Sequence, residues 1–275
     1  MLRLAPGEYF GRILRRASLL GAPVAWTAYP PNGHSPWHVH ENPTLFVLLA
    51  GSHRDEDHRG SFEQAPLSTV FHPTVGLHSM AVGPTGMVGI NLELTEDLLA
   101  RCRLRRQDLI GDCRLFGSVA SQLLALRLAW LAHDPAAAGG AEAESALTEL
   151  LALLVDDRGV TARIPRWLPR AEEYLRAHSS TPVRLRDLAA ELNLHPVYCA
   201  RAFRRAVGCT VTAYLHALRL LSAGRLILEE GRGLAEAALN AGFADQAHFS
   251  RICARTLGFT PGRLRQLRRE FPSRR

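Results

Sequence analysis

The sequence predicts a two-domain protein: a small all-β barrel followed by amphipathic helices, then an all-α domain built from two helix-turn-helix units. Three observations predict it. Residues 24–95 hold short β-type segments separated by turn clusters. Leucines then fall at helical spacing. The last hundred or so residues contain an internal repeat. A length of 275 residues suits two domains, and an apolar content of 47% supplies a core. The expected divisions are 1–95 for the barrel, 96–158 for a helical segment that dimerises or packs on the barrel, 159–166 for a linker, and 167–270 for the repeat domain.

In the β part, residues 44–50 read as a strand ended by Gly51-Ser52. Residues 68–72 read as a second, ended by Pro73 and Gly76, and 86–94 as a third. Short strands at this spacing suit an antiparallel barrel or sandwich. Trp37, Phe46, Leu48 and Phe71 either line its cavity or fill its core. Residues 116–133 and 142–157 then read as two helices, through Leu123, Leu124, Leu128 and Leu131 in the first. With 135–140 as a short loop, they form an antiparallel pair. Gly159 and Pro165 break the chain before the next helices.

The repeat aligns Arg201, Arg205, Gly208 and Thr210 with Arg251, Arg255, Gly258 and Thr260 at one constant offset. Upstream, Leu185, Leu188, Ala189 and Leu192 correspond to Leu234, Ala237, Ala238 and Ala241. Each copy reads as a short helix, a tight turn, a second helix and a glycine stop. Ala189 and Ala238 are small where the second helix must cross the first. Gly242 and Asn193 tolerate the positive φ of the turn. Pro196 suits a first helical position, and Asp245 caps an exposed helix start. Residues 212–229 read as one long helix between the copies.

Charge separates the two halves. All 33 basic residues are Arg. Residues 166–275 hold 19 Arg and 9 acids, a net +10, whereas 1–165 hold 14 Arg and 17 acids, a net −3. A basic half suits a polyanion. The five cysteines are widely spaced and form no CxxC pair, which fits a reducing cytoplasm and argues against disulfides or a zinc knuckle. No run is long and apolar enough to cross a bilayer, and breakers at Gly21, Pro23, Pro30 and Pro31 argue against a signal peptide.

The stretch from Gly242 to Arg251, followed by Leu257-Gly-Phe-Thr-Pro-Gly-Arg-Leu-Arg265, resembles the signature of the AraC/XylS family of transcription regulators. Tyr214, Arg219, Ala223 and Leu226 resemble that family's linker helix. Cys253, Cys199 and His195 depart from its usual Phe, Leu and Ser. The resemblance, over residues 167–268, implies two units entering successive major grooves on one face of double-stranded DNA. It places Val197, Tyr198, Ala200 and Arg201 on the first reading surface, and Gln246, Ala247, His248 and Arg251 on the second. Arg204, Arg205, Arg255, Arg263 and Arg265 then touch phosphates or solvent. Salt bridges inside the bundle are the alternative use of Arg201 and Arg251. The resemblance also implies a homodimer, contact with RNA polymerase, and an effector-binding N-terminal domain.

Seven of the twelve histidines lie between residues 34 and 78. His38 and His40 share one strand face, and Pro73-Thr-Val-Gly76-Leu-His78 adds a third imidazole. With Gly51, these resemble a weakened pair of cupin motifs. Thr44 stands where the usual carboxylate ligand would fall. Three imidazoles can still hold zinc, iron or nickel, or they serve as structural side chains in a barrel that holds a small organic effector or nothing. Three functional readings follow: a regulator controlled by a metal or small effector, a cupin-type metalloenzyme with a helical appendage, and a DNA-binding scaffold with a ligand-free barrel. No Ser/His/Asp set, phosphate loop or paired-carboxylate motif suggests another catalysis.

Overall fold

The computed structural model of the protein describes residues 2–109, 111–156 and 165–271. Residues 159–164 of the expected linker lie outside the described residues. The first half is a nine-stranded sheet ordered β1 (Leu2–Leu4), β4 (His38–His40), β8 (His78–Glu93), β5 (Thr44–Asp57), β7 (Thr69–His72) and β9 (Arg114–Phe116). β2 (Arg12–Leu19) pairs with β3 (Ala22–Tyr29), β3 also pairs with β8, and β6 (Gly60–Gln64) pairs with β5. The ladders are antiparallel except that of β1 and β4.

β5 is longer than its sequence suggests. Gly51 does not end the strand; it has φ +87° at a register shift, and an added Cβ would lie 2.0 Å from the Gly86 carbonyl oxygen. A bulge lets the chain bend and keep pairing. The same hairpin extends β8 back to His78. Beyond the bulge, His53, Asp55 and Asp57 alternate inward and are buried.

Both faces of the sheet are covered. Leu45, Val47 and Leu49 join the main core, whereas Phe46 and Leu48 pack with Val82 and Met87 on the other face. Phe71 belongs to the main core rather than to that inner face, and Trp37 is 44% exposed. A period of two accounts for the split between neighbours.

Helices begin with α1 (Glu96–Arg101), capped by Thr95. The helix expected from 116 starts later, as α2 (Val119–His133), because Phe116 extends β9 along β7 and Ser118 caps the helix. α2 is apolar nearly all round, which marks an enclosed helix. It packs on α3 (Ala141–Asp156), on β2 and β7, and on the second half of the chain.

That second half holds α4 (Leu168–Ala177), α5 (Leu185–Glu191), α6 (Pro196–Val207), α7 (Val211–Leu228), α8 (Leu234–Asn240), α9 (Gln246–Leu257) and α10 (Gly262–Arg268). α7 runs through its centre, and its Thr210 cap accepts a hydrogen bond from the Ala213 N–H. Buried Arg219 of α7 donates to the carbonyls of Ser179 and Thr181, which holds the loop after α4. Among the described residues, no single helix is long and apolar enough to cross a membrane.

Candidate functional site

The two repeat copies form the same backbone path. α5 leads through Asn193, at φ +52°, into α6, and α8 leads through Gly242, at φ +88°, into α9. α6 and α9 end at Gly208 and Gly258, both left-handed. Phe203 and Phe249 are fully buried on the inner faces. Cys199 and Cys253 are also wholly buried, and the Cys253 thiol meets the Phe259 carbonyl at 3.2 Å. Burial alone pushes both thiols up, that of Cys253 to about 12, so they are small apolar fillers.

The outer faces carry the expected reading residues. Val197 and Tyr198 are 60% and 57% exposed, a costly display of apolar surface for a helix with no partner. Arg201, Arg205, Gln246, Ala247, Arg251 and Arg255 are exposed, and Ala200 is half-buried. Among the described residues, no ion pair engages Arg201, Arg205, Arg251 or Arg255, so the bundle does not use them internally. His248 differs. It is half-buried, its ring set edge-on to Phe243 and His216, and its N–H donates to the Asp245 cap. Burial, with His248 beside it, keeps His216 below the usual imidazole range.

The histidines meet on the inner face of the sheet. His38 is the ladder partner of His78, and His40 follows on the same face. One ring nitrogen from each of His38, His40 and His78 falls within 4.8 Å of the others, and all three residues are buried. The Pro36 carbonyl accepts from His38 Nδ1 at 2.8 Å, and the Gly76 carbonyl from His78 Nδ1 at 2.9 Å. These bonds fix the tautomer and leave Nε2 a free lone pair. Burial, then neighbouring imidazoles, lowers His40 to about 3 and His78 to about 2, and burial lowers His38. The rings are therefore neutral, as metal ligands must be.

Sequence reasoning missed four neighbours. His72, opposite Thr44 in the ladder, stacks on His78 at 4.0 Å between ring centroids. Its Nε2 meets Asp55 at 2.8 Å. Burial opposes ionisation of Asp55, yet His72 and His53 hold its carboxyl below the usual range. Both ring nitrogens of His53 are buried without a hydrogen-bond partner, the nearer lying 3.8 Å from Asp55. Cys113 forms a second potential ligand set with His72 and His78. The His-x-Asp-x-Asp alternation at 53–57 was the available signal, masked by the reading of Gly51 as a strand end. This donor set suits a borderline first-row divalent ion.

Two cavities differ by an order of magnitude. The histidine pocket has a volume of about 30 Å³, room for one ion or water. A second cavity of about 630 Å³ lies between the sheet, at Arg12, Tyr29, Gly51 and Met87, and the helical half, at Glu229 and Phe271. That volume is of organic-ligand size. Glu229 accepts a hydrogen bond from the Gly51 N–H across this junction.

Residues 188–267 match the family described as "Helix-turn-helix domain". Similar proteins include the regulatory protein PocR of Salmonella typhimurium, 30% identical over 36% of this chain and 33% of that one. The bifunctional transcriptional activator and DNA repair enzyme AdaA of Bacillus subtilis is 24% identical over 37% of this chain and 48% of its own. The chain thus spans a third to a half of these relatives. Among solved structures, the C-terminal domain of the response regulator AraT from Geobacillus stearothermophilus is 28% identical, covering 38% of this chain and 88% of that one, with a TM-score of 0.35.

Proposed function

With an AraC-type helix-turn-helix domain as its basic half, we propose that this protein is a sequence-specific transcription regulator that binds double-stranded DNA and is controlled through its strand-rich half. The carrying observation is the pair of equivalent, outward-facing arginines, Arg201 and Arg251, on helices that end at matching left-handed glycines.

Arg201 and Arg251 read guanine by bidentate hydrogen bonds, and Gln246 does the same for adenine. Val197, Tyr198, Ala200 and Ala247 give apolar contact, for instance to a thymine methyl, with His248 beside them. Arg205 and Arg255 hold phosphates. Control enters through one of the two cavities: a metal ion suits the smaller and an organic effector the larger. The protein is not an enzyme in this reading; it works in the cytoplasm, as a homodimer that contacts RNA polymerase. A cupin-type metalloenzyme is the second reading, favoured by His38, His40 and His78 alone.

Genome-wide mapping of bound sites, followed by gel shift on the recovered sequences, tests the proposal. Discrete sites bound tightly, with affinity falling steeply as salt rises, are expected. Binding no tighter than to random DNA overturns it.

A further inference from the structure

The larger cavity, of about 630 Å³, takes its walls from both halves of the chain. Arg12, Tyr29, Pro31 and Met87 belong to the strand-rich half; Glu229, Arg268 and Phe271 belong to the helical half. The sheet side is irregular. Register shifts fall on either side of Gly51, and both Gly51 and Gly86 have left-handed φ, so the β5–β8 ladder bulges along the cavity. Bulges of this kind gather beside functional sites. The walls are mostly apolar, through Ala28, Pro30, Ala50, Met87, Val88 and Phe271. Their charged groups are two guanidiniums, Arg12 and Arg268, and one carboxylate, Glu229.

We propose that this cavity binds an amphipathic organic anion, an acid group on an apolar body, and that the occupant ties the helical half to the sheet. The inference rests on, and deepens, the reading of the strand-rich half as a control element, since it names the class of effector. Charge selects the anion. Glu229 already accepts from the Gly51 N–H at 3.0 Å, and it supports the charge of Arg225 against the burial that lowers it. Among the described residues, neither an ion pair nor a hydrogen bond engages the Arg12 side chain, which stands exposed at the cavity. Arg15, further along β2, is committed to Glu270 and to the His133 carbonyl. An acid group placed at Arg12 therefore gains a charge-assisted hydrogen bond without breaking an existing contact.

The lining disfavours other occupants. A sugar needs hydrogen bonds on every side, whereas the polar side chains here are few. A bare metal ion or an organic cation would face two guanidiniums against one carboxylate. The volume suits a molecule of drug size rather than a single ion. Arg12 and Gly51 stand on one side, Arg268 and Phe271 on the other, so a ligand that fills the cavity touches both halves and favours their docked arrangement. Arg268 ends α10, which packs on α2 and α7, and α8 and α9 pack on α7 in turn. The added hold thus reaches the second helix pair.

The test titrates the full-length chain with a matched pair of fluorescent probes: anilinonaphthalene sulfonate, an amphipathic anion, and phenylnaphthylamine, the same ring system without the acid group. The sulfonate is expected to saturate a single site and to bind roughly tenfold more tightly than the neutral probe. Arg12→Ala should weaken the sulfonate roughly three- to tenfold and leave the neutral probe unchanged. Thr85→Trp, at an exposed position of the lining, should fill the cavity mouth and displace both. Each variant is checked for an unchanged circular-dichroism spectrum and melting temperature. Saturating sulfonate should slow hydrogen exchange both around Gly51 and at the end of α10. Sulfonate binding that neither variant alters overturns the site and puts the probe on exposed apolar surface such as Val197 and Tyr198. A neutral probe held as tightly as the sulfonate overturns the anionic class. Slowed exchange in one half alone overturns the tie between the halves. None of these readouts involves DNA, so a failure to find bound genomic sites breaks the regulator reading separately.

Discussion

The two helix pairs share a sequence pattern and a backbone path, yet their surroundings differ. The second is docked: α9 and α10 pack on α2, Arg263 covers the Trp130 ring at 4.4 Å, and Phe259 lies 5.9 Å from that ring. The first is built on α4, α5 and α7. Its helix starts at His195, which makes no side-chain cap, whereas Asp245 caps the second. Repetition in sequence thus sets the shape of a unit, while the neighbours set how firmly it is held. A docked unit and a looser one give the strand-rich half a direct hold on the second helix pair through α2.

The turn offers the sharpest test of this difference. At Gly242 a Cβ would combine a left-handed φ with an approach of 2.7 Å to the Ser180 carbonyl oxygen. Gly242→Ala should cost about 3 kcal/mol in denaturant unfolding. Asn193→Ala should cost nearer ~1 kcal/mol, because no comparable collision accompanies its φ. Similar losses at both would show that the turns are equally constrained.

DNA binding comes next in size. Arg251→Ala should weaken a cognate site by about 1–3 kcal/mol, roughly five- to 150-fold, with little change on random DNA. Arg201→Ala should cost less, since its helix is less firmly held. A loss shared equally by cognate and random DNA would reassign either arginine to the phosphate backbone.

The caps should differ in sign. Asp245→Ala should destabilise by about 1 kcal/mol, and His195→Ser should stabilise by up to about the same, read by thermal melting. If His195→Ser gains nothing, the first helix already has its orphan N–H groups satisfied.

The smallest expected effect lies at the docking clamp. Glu270 accepts hydrogen bonds from Arg15 and His133, both at 2.9 Å, which tie the end of the helical half to β2 and α2. Burial opposes its ionisation, but Arg15 and His133 outweigh that and lower its pKa. A depressed carboxylate stabilises the fold above its ordinary value near 4.5, and that contribution fades as pH falls through the folded value. Glu270→Gln should therefore lower stability slightly at neutral pH and flatten the profile below about pH 4.5, where the two chains converge. A profile identical to that of the unchanged chain would show that the clamp is not a stabilising contact.

Much of the helical half is legible in the sequence. Turn, stop and cap residues act within a few positions, so Asn193, Gly242, Gly208, Gly258 and Asp245 can be assigned without knowing the fold. The strand-rich half is harder. Gly51 is a turn residue by local rules, yet a partner strand turns it into a bulge, and three inward polar residues went unread with it. Phe116 suits a helix by spacing, but β7 offers it an edge.

Local chemistry, expressed in sequence, determined the repeat, its charge, the helix stops and the outward face of each reading helix, because a helix meets its partners at i+3 and i+4. Which groups join His38, His40 and His78 was decided only by tertiary structure. His72, Asp55 and Cys113 come from separate strands and a preceding loop, and ladder register rather than sequence distance brings them together. The same holds for α2, whose leucines promise burial without saying against what; only the assembled chain puts the sheet on one side and the helical half on the other.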